Sequence, residues 1–224
     1  MGNIFRNLDW SVLTDLLYAV LPALVCITLH ELAHGFVAYK LGDNTAKYAG
    51  RLTLNPLKHM DLVGLLMMVV VHFGWAKPVP VDMRNFKNPK RGMAITALAG
   101  PVANLLITSI ALLLYGLLYA FWIGTSVGGF VLDLLYITAY LSLSLAIFNL
   151  LPIPPLDGSK VLFSVASDRT YGQLMRYERY GMILLIVIMV TGALTNVLGT
   201  VLDFLFGKFF LLAQWANHLT LLFM

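Results

Sequence analysis

"VCITLHELAHGFVAYKLGD", residues 25–43, decides how the chain is read. Apolar residues surround His30, Glu31 and His34, and the stretch continues an apolar run that begins near Trp10. A helix over 10–39 is long enough to cross a bilayer, which takes about 20 mostly apolar residues. Ionisable side chains inside such a span are costly and mark functional sites. His30 and His34 are four residues apart, so on a helix both imidazoles leave one face a turn apart, with Glu31 beside them. This HExxH spacing sets two zinc-binding imidazoles next to a carboxylate able to take a proton from the water the metal activates. The bland alternative is a helix-packing network in which the His and Glu side chains satisfy one another.

The whole chain supports a membrane setting. Of its 224 residues 59% are hydrophobic and 12% charged, and its mean hydropathy is +0.82. Soluble domains are about 45–50% apolar and about 25% charged, so the chain is expected to be an all-α polytopic integral membrane protein. Its length suits one membrane domain over 1–224. The net charge of +4 comes from basic residues in loops beside apolar runs. No basic stripe with interleaved aromatics accompanies it, so nucleic acid is not an expected partner. The lone Cys26 has no internal disulfide partner, and redox chemistry is not indicated. "MGNIFRNLDW", residues 1–10, lacks a signal-cleavage pattern, so the first apolar run is expected to stay. Arg6 departs from a myristoylation signal.

Outward from the quoted stretch, spans are expected at about 10–39, 93–122, 130–151 and 180–202. Residues 203–224 form a fifth span or a surface-lying helix, which gives about 4–6 transmembrane helices. "DLVGLLMMVVVHF", residues 61–73, is short for a span and reads as re-entrant or interfacial. "GRLTL" at 50–54 alternates like a strand, and "AKPVPV" at 76–81 reads as an extended edge, because Pro78 and Pro80 cannot donate to a ladder. Together they predict a small β-hairpin or sheet. Ala94, Ala97, Gly100 and Ala103 form a small-residue stripe suited to close helix approach. Lys40, Lys47, Arg51, Lys58, Lys77, Arg84, Lys87, Lys90 and Arg91 lie between the first two spans, and Lys160, Arg169, Arg176 and Arg179 lie between the third and fourth. Residues 123–129 carry no Lys or Arg. The positive-inside rule therefore puts both basic connectors, with the hairpin and the re-entrant segment, on the cytoplasmic side.

A catalytic zinc takes three protein ligands and an open position, so a third ligand is sought among Asp157, His59, His72, Asp168 and Glu178. Topology favours Asp157. His34 lies six residues before Lys40, about 9 Å from the cytoplasmic end at 1.5 Å per residue. Asp157 follows a span that ends on the same side. Pro152, Pro154 and Pro155 force irregular backbone there, which is tolerated at membrane depth where it packs on protein or lines a wet cavity. His59 reads as a surface histidine and His72 as an interfacial one.

"HELAHG" at 30–35, "GRLTLNPLKHMDLVG" at 50–64, "GWAKPVPV" at 74–81, "AGPVANL" at 99–105 and "NLLPIPPLDG" at 149–158 occur in one order over 30–158. In these pieces the chain resembles the site-2 protease family of intramembrane zinc metalloproteases, in its short form without a PDZ domain. The resemblance implies one catalytic Zn2+ held by His30, His34 and Asp157, with Glu31 as acid/base and Asn149 in a polar role near the metal. It implies hydrolysis of peptide bonds in or near transmembrane segments of membrane-protein substrates, with a catalytic core at about 10–158 and C-terminal helices at about 172–224. Lys77, Pro78 and Val79 are candidates to hold an extended substrate by strand addition. Asn104 is a further substrate candidate, with packing of the second span as its alternative role. The location implied is a prokaryotic cell membrane, with the lipid bilayer as surroundings, and assembly into a homo-oligomer is left open. The competing reading is a metal-ion transporter using the same ligands. It is disfavoured because transport needs ligands at successive depths and has no need of Glu31.

Overall fold

The computed structural model describes residues 10–61 and 76–224. Within them lie seven α-helices: α1 (Trp10–Lys40), α2 (Thr45–Tyr48), α3 (Pro89–Trp122), α4 (Ser126–Asn149), α5 (Asp157–Ser164), α6 (Asp168–Thr191) and α7 (Thr195–Leu222). α1, α3, α4 and α7 are long and apolar enough to cross a membrane.

Local chemistry sets the ends of these helices. Asn88 caps α3 by accepting from the Arg91 amide, with Pro89 preset for the first turn. Thr125 caps α4 through the Gly128 amide. Ser167 caps α6 through the Thr170 amide. α6 stops at Gly192, whose left-handed φ of 66° suits a residue without Cβ.

α3 is the central strut and packs against α1, α4, α5 and α7. Its core contacts are Ala111 and Leu112 against Ala139 and Leu143 of α4 and Leu202, Phe206 and Ala213 of α7. Its opposite face carries Leu98, Val102, Leu106, Ile110, Leu114, Leu117 and Phe121, all exposed and spaced three or four apart. Such a stripe faces lipid, because water would oppose so much contiguous apolar surface. Two buried hydroxyls between helices are paired with carbonyls: Ser142 Oγ donates to Asn104 O at 2.9 Å, and Thr108 Oγ1 donates to Asn104 O at 3.0 Å and Ala139 O at 3.2 Å. Where lipid offers no partner, these bonds satisfy polar atoms that would otherwise be stranded.

Two expectations are corrected. The span at 180–202 does not form as one piece. The chain breaks at Gly192, and 195–222 runs as a single helix through the supposed boundary. Hydropathy is continuous across the break, so the turn chemistry of Gly192 decides it. The β-hairpin is absent as well, and there is no sheet among the described residues. Residues 52–54 are bends, and the pairing reduces to one isolated antiparallel bridge between Met60 and Ala76. The donors go elsewhere: Arg51 N bonds Ala46 O, Lys77 N bonds His59 O, and Pro78 and Pro80 have none to give. The expected re-entrant segment at 61–73 lies almost wholly outside the described residues.

Asp43 organises these connectors. Its buried carboxylate accepts from Thr45, from the Asp82 amide at 2.8 Å and from Asn85 Nδ2 at 2.7 Å, tying the end of α1 to the segment before α3. Burial opposes its ionisation, but these bonds outweigh burial and hold the carboxyl below its usual range. Asp43→Ala is expected to lower stability by about 1–3 kcal/mol, because buried donors lose their acceptor. Thermal unfolding in detergent measures this. A depressed folded-state pKa stabilises above the unfolded value and fades as pH falls through the folded one. The difference from wild type should therefore be full above about pH 5 and shrink below about pH 4.

Candidate metal centre

α1 and α3 run antiparallel, so residues ascending α3 meet residues descending α1. Thr96 faces His34, and Asn104 faces His30. Between them Gly100 lies against both imidazoles. A Cβ at 100 would stand 2.5 Å from His30 Cε1 and 2.6 Å from His30 Nε2, and closer still to His34 Nε2. The missing side chain is what lets two rings enter the helix interface. They pack edge to face with centroids 4.6 Å apart.

Asp157 completes the group. α4 ends at Asn149, Pro152, Pro154 and Pro155 prevent its continuation, and the chain restarts as α5 with Asp157 in its first turn. A carboxylate there is favoured by the helix dipole. Asp157 Oδ2 is 3.2 Å from His30 Nε2 and 3.1 Å from His34 Nε2, and the two Nε2 atoms are 3.0 Å apart. All three residues are buried, at 7–8% exposure.

This triangle suits a metal ion better than it suits hydrogen bonding. His34 Nδ1 lies 2.7 Å from Thr96 O, which only accepts. Nδ1 therefore carries the proton, and in the neutral ring Nε2 presents a lone pair to the centre. Zinc bonds of about 2.0–2.2 Å to nitrogen and oxygen give a tetrahedron with edges of about 3.3–3.6 Å. The observed edges need widen by only a few tenths of an ångström. His30, His34 and Asp157 are the metal-competent group found among the described residues. Donor types, convergence and the Gly100 cradle fit a zinc ion.

Beside the triangle lies a cavity of about 640 Å³, walled by Leu24 and Ile27 of α1, Leu145 and Phe148 of α4, Met182 and Leu185 of α6, and Pro78 and Val79. Glu31 lines it, and Glu31 Oε2 accepts from the Val79 amide at 2.8 Å. The His–Glu packing network is therefore not what forms. Asn149 also lines the cavity, with Nδ2 donating to Leu145 O at 2.9 Å. Lys160 Nζ stands 3.8 Å from Asp157 Oδ1.

The other candidates separate. Lys77 is held through its backbone, by Arg51 Nη2 on its carbonyl at 2.6 Å and by its amide on His59 O. Asn104 is fully buried behind His30. His59 is no surface residue: it is wholly buried, with Nε2 2.9 Å from Thr53 O. His72 lies outside the described residues, and Asp168 and Glu178 sit on α6. Thr96 and Gly100 were missed as site residues. The signal was present, since the small-residue stripe around Gly100 accommodates rings as well as another helix.

Comparison with known proteins agrees with this chemistry. The family model described as peptidase family M50 matches residues 118–194, which include Asn149 and Asp157. YwhC of Bacillus subtilis, described as a candidate zinc metalloprotease, is 42% identical over 179 residues, covering 78% of this chain and 80% of that protein. Rip2 of Mycolicibacterium smegmatis, described likewise, is 34% identical over 177 residues, covering 77% of this chain and 66% of that protein. The zinc metalloprotease MJ0392 of Methanocaldococcus jannaschii is 29% identical over 169 residues, covering 75% and 38%. No solved structure matches the chain.

Gly100→Ala tests the cradle. The added methyl should push both imidazoles apart and weaken zinc by at least about tenfold, the lower end for disturbing groups that orient ligands. Chelator competition reads the affinity, and an unchanged circular dichroism spectrum should accompany it.

Proposed function

Since the chain belongs to peptidase family M50 and is a zinc metalloprotease, we propose that it cleaves peptide bonds in or near transmembrane segments of membrane-protein substrates, with His30, His34 and Asp157 as the zinc ligands. The observation that carries this reading is the Thr96 carbonyl, which fixes the His34 proton on Nδ1 and turns Nε2 toward His30 and Asp157.

Zinc, when bound, polarises the scissile carbonyl and makes water acidic enough to attack near neutral pH. Glu31 is the general base. The Val79 amide occupies Oε2, which orients the carboxylate and leaves Oε1 to take the proton of the attacking water and pass it to the leaving nitrogen. Asn149 stands on the cavity wall, and its second amide hydrogen is available to the developing oxyanion.

The mostly apolar cavity between α1, α4 and α6 suits a substrate segment arriving from lipid. A helical peptide bond is already paired within its own helix, so the segment must unwind before attack. Pro78 and Val79 form the wall nearest Glu31 and would lie along the unwound chain. Their carbonyls are the groups left to receive it, because Pro78 has no N–H and that of Val79 is engaged. The clustering of Lys and Arg in the connectors at the ends of α1 and α4 supports a cytoplasmic orientation for this face, in what we read as a prokaryotic cell membrane. We read 1–224 as one membrane-embedded domain.

Glu31→Gln separates hydrolysis from binding or transport. The variant should hold stoichiometric zinc, by elemental analysis of purified protein, while cleavage of a membrane-segment substrate falls by about 10²–10⁴-fold. Asp157→Ala should lose the metal as well as activity. Retained cleavage by Glu31→Gln would remove Glu31 from the mechanism.

A further inference from the structure

Asn104 has no assigned role in this chemistry, yet it is the polar partner of His30 on the side away from the metal triangle. Its side chain is completely buried, and its amide nitrogen lies 3.1 Å from His30 Nδ1. Oδ1, also buried, has no hydrogen-bond partner in this orientation. Its backbone is fixed, because Asn104 O accepts from Ser142 and Thr108.

A carboxamide can present either nitrogen or oxygen to the same neighbour, as the two ends are nearly isosteric. With nitrogen toward His30, Asn104 donates to a bare Nδ1, and the ring proton sits on Nε2, pointing into the triangle. A ring in that tautomer cannot ligate through Nε2. With oxygen toward His30, Asn104 accepts from Nδ1–H, and Nε2 presents its lone pair. The α3 face thus carries a matched pair of acceptors around Gly100: the Thr96 carbonyl for His34 and the Asn104 amide oxygen for His30. Thr96 O has one polarity and Asn104 has two.

We propose that Asn104 is the positioning residue for His30, its amide oxygen accepting from Nδ1–H so that Nε2 presents its lone pair to zinc. This rests on the reading of His30 as a zinc ligand. It assigns Asn104 to the metal site, away from the substrate.

Two variants of nearly equal shape separate this from packing. Asn104→Asp retains an acceptor for Nδ1–H, whereas Asn104→Leu fills the space without one. If Asn104 only packs, Asn104→Leu should keep zinc affinity and the buried carboxylate of Asn104→Asp should harm it. The proposal requires the reverse order. In purified full-length protein in detergent, zinc competition with a chromophoric chelator should give Asn104→Asp an affinity within about threefold of wild type. Asn104→Leu should be about 10–100-fold weaker, the usual loss when a ligand's outer partner is removed. Melting in excess chelator confirms that each variant is folded. A folded Asn104→Leu that binds as wild type does would overturn the proposal, and so would a folded Asn104→Asp that loses zinc tenfold. The second result decides even if Asn104→Leu fails to fold. His30→Ala is the control for the underlying reading: undiminished zinc in that variant would remove His30 as a ligand and leave Asn104 nothing to position.

Discussion

Everything in the site depends on how closely α1 approaches α3 at Gly100. Two imidazoles one turn apart need room that an ordinary helix interface lacks, and a residue without a side chain provides it. Burial in a helix interface strips the rings of water, so each nitrogen must find a protein partner or a metal ion. Thr96 and Asn104, four residues on either side of Gly100, meet the outer nitrogens. Only the inner nitrogens and the Asp157 carboxylate are left to share the centre. One glycine therefore sets the burial, the ring orientations and the polarity of the site together.

The rest of the bundle keeps that approach fixed. α3 touches α1, α4, α5 and α7, so a shift at Gly100 would disturb contacts along its whole length. Ser142 bonds the Asn104 carbonyl from α4 at the depth of the metal triangle. The same α4 then ends eight residues before Asp157, and the intervening prolines turn the chain back so that α5 begins against the imidazoles. A carboxylate so far along the sequence reaches the histidines because α4 is parallel to α1 and ends on the same side. Tyr18 with Asp133 and Cys26 with Thr138 mark that parallel register.

What could be read from residues alone followed from how local each signal was. His30, Glu31 and His34 declare themselves by spacing, and Asp157 by the side of the membrane on which its span ends. Gly100 was visible only as a small residue, because a sequence does not tell whether a ring or a helix will fill the space. The C-terminal spans were misjudged because hydropathy sums over a window and passes through Gly192, while a single left-handed residue ends the helix. The hairpin at 50–54 was misjudged for the converse reason. Alternation describes a strand's two faces but supplies no partner, and here the available donors are claimed by Ala46 O and His59 O. His59 looked like a surface residue because it sits in a polar connector, yet that connector folds over the site and buries it.

The segment Pro78-Val79-Pro80 shows how the connectors reach the metal triangle's neighbour Glu31. Two prolines leave a single amide hydrogen in three residues, and that hydrogen is bonded to Glu31. A segment with free amides beside the cleft would compete to pair with its neighbours or with arriving chain. This one has a single donor, and the carboxylate beside the His30–His34–Asp157 triangle consumes it. Arg51 on the Lys77 carbonyl and His59 on the Lys77 amide hold the preceding residue, so the Val79 amide is aimed from a fixed base. The orientation of Glu31 is therefore set by a loop some fifty residues away in sequence, and through His59 and Arg51 by the basic connector, whose Pro56, His59 and Met60 line the same cavity.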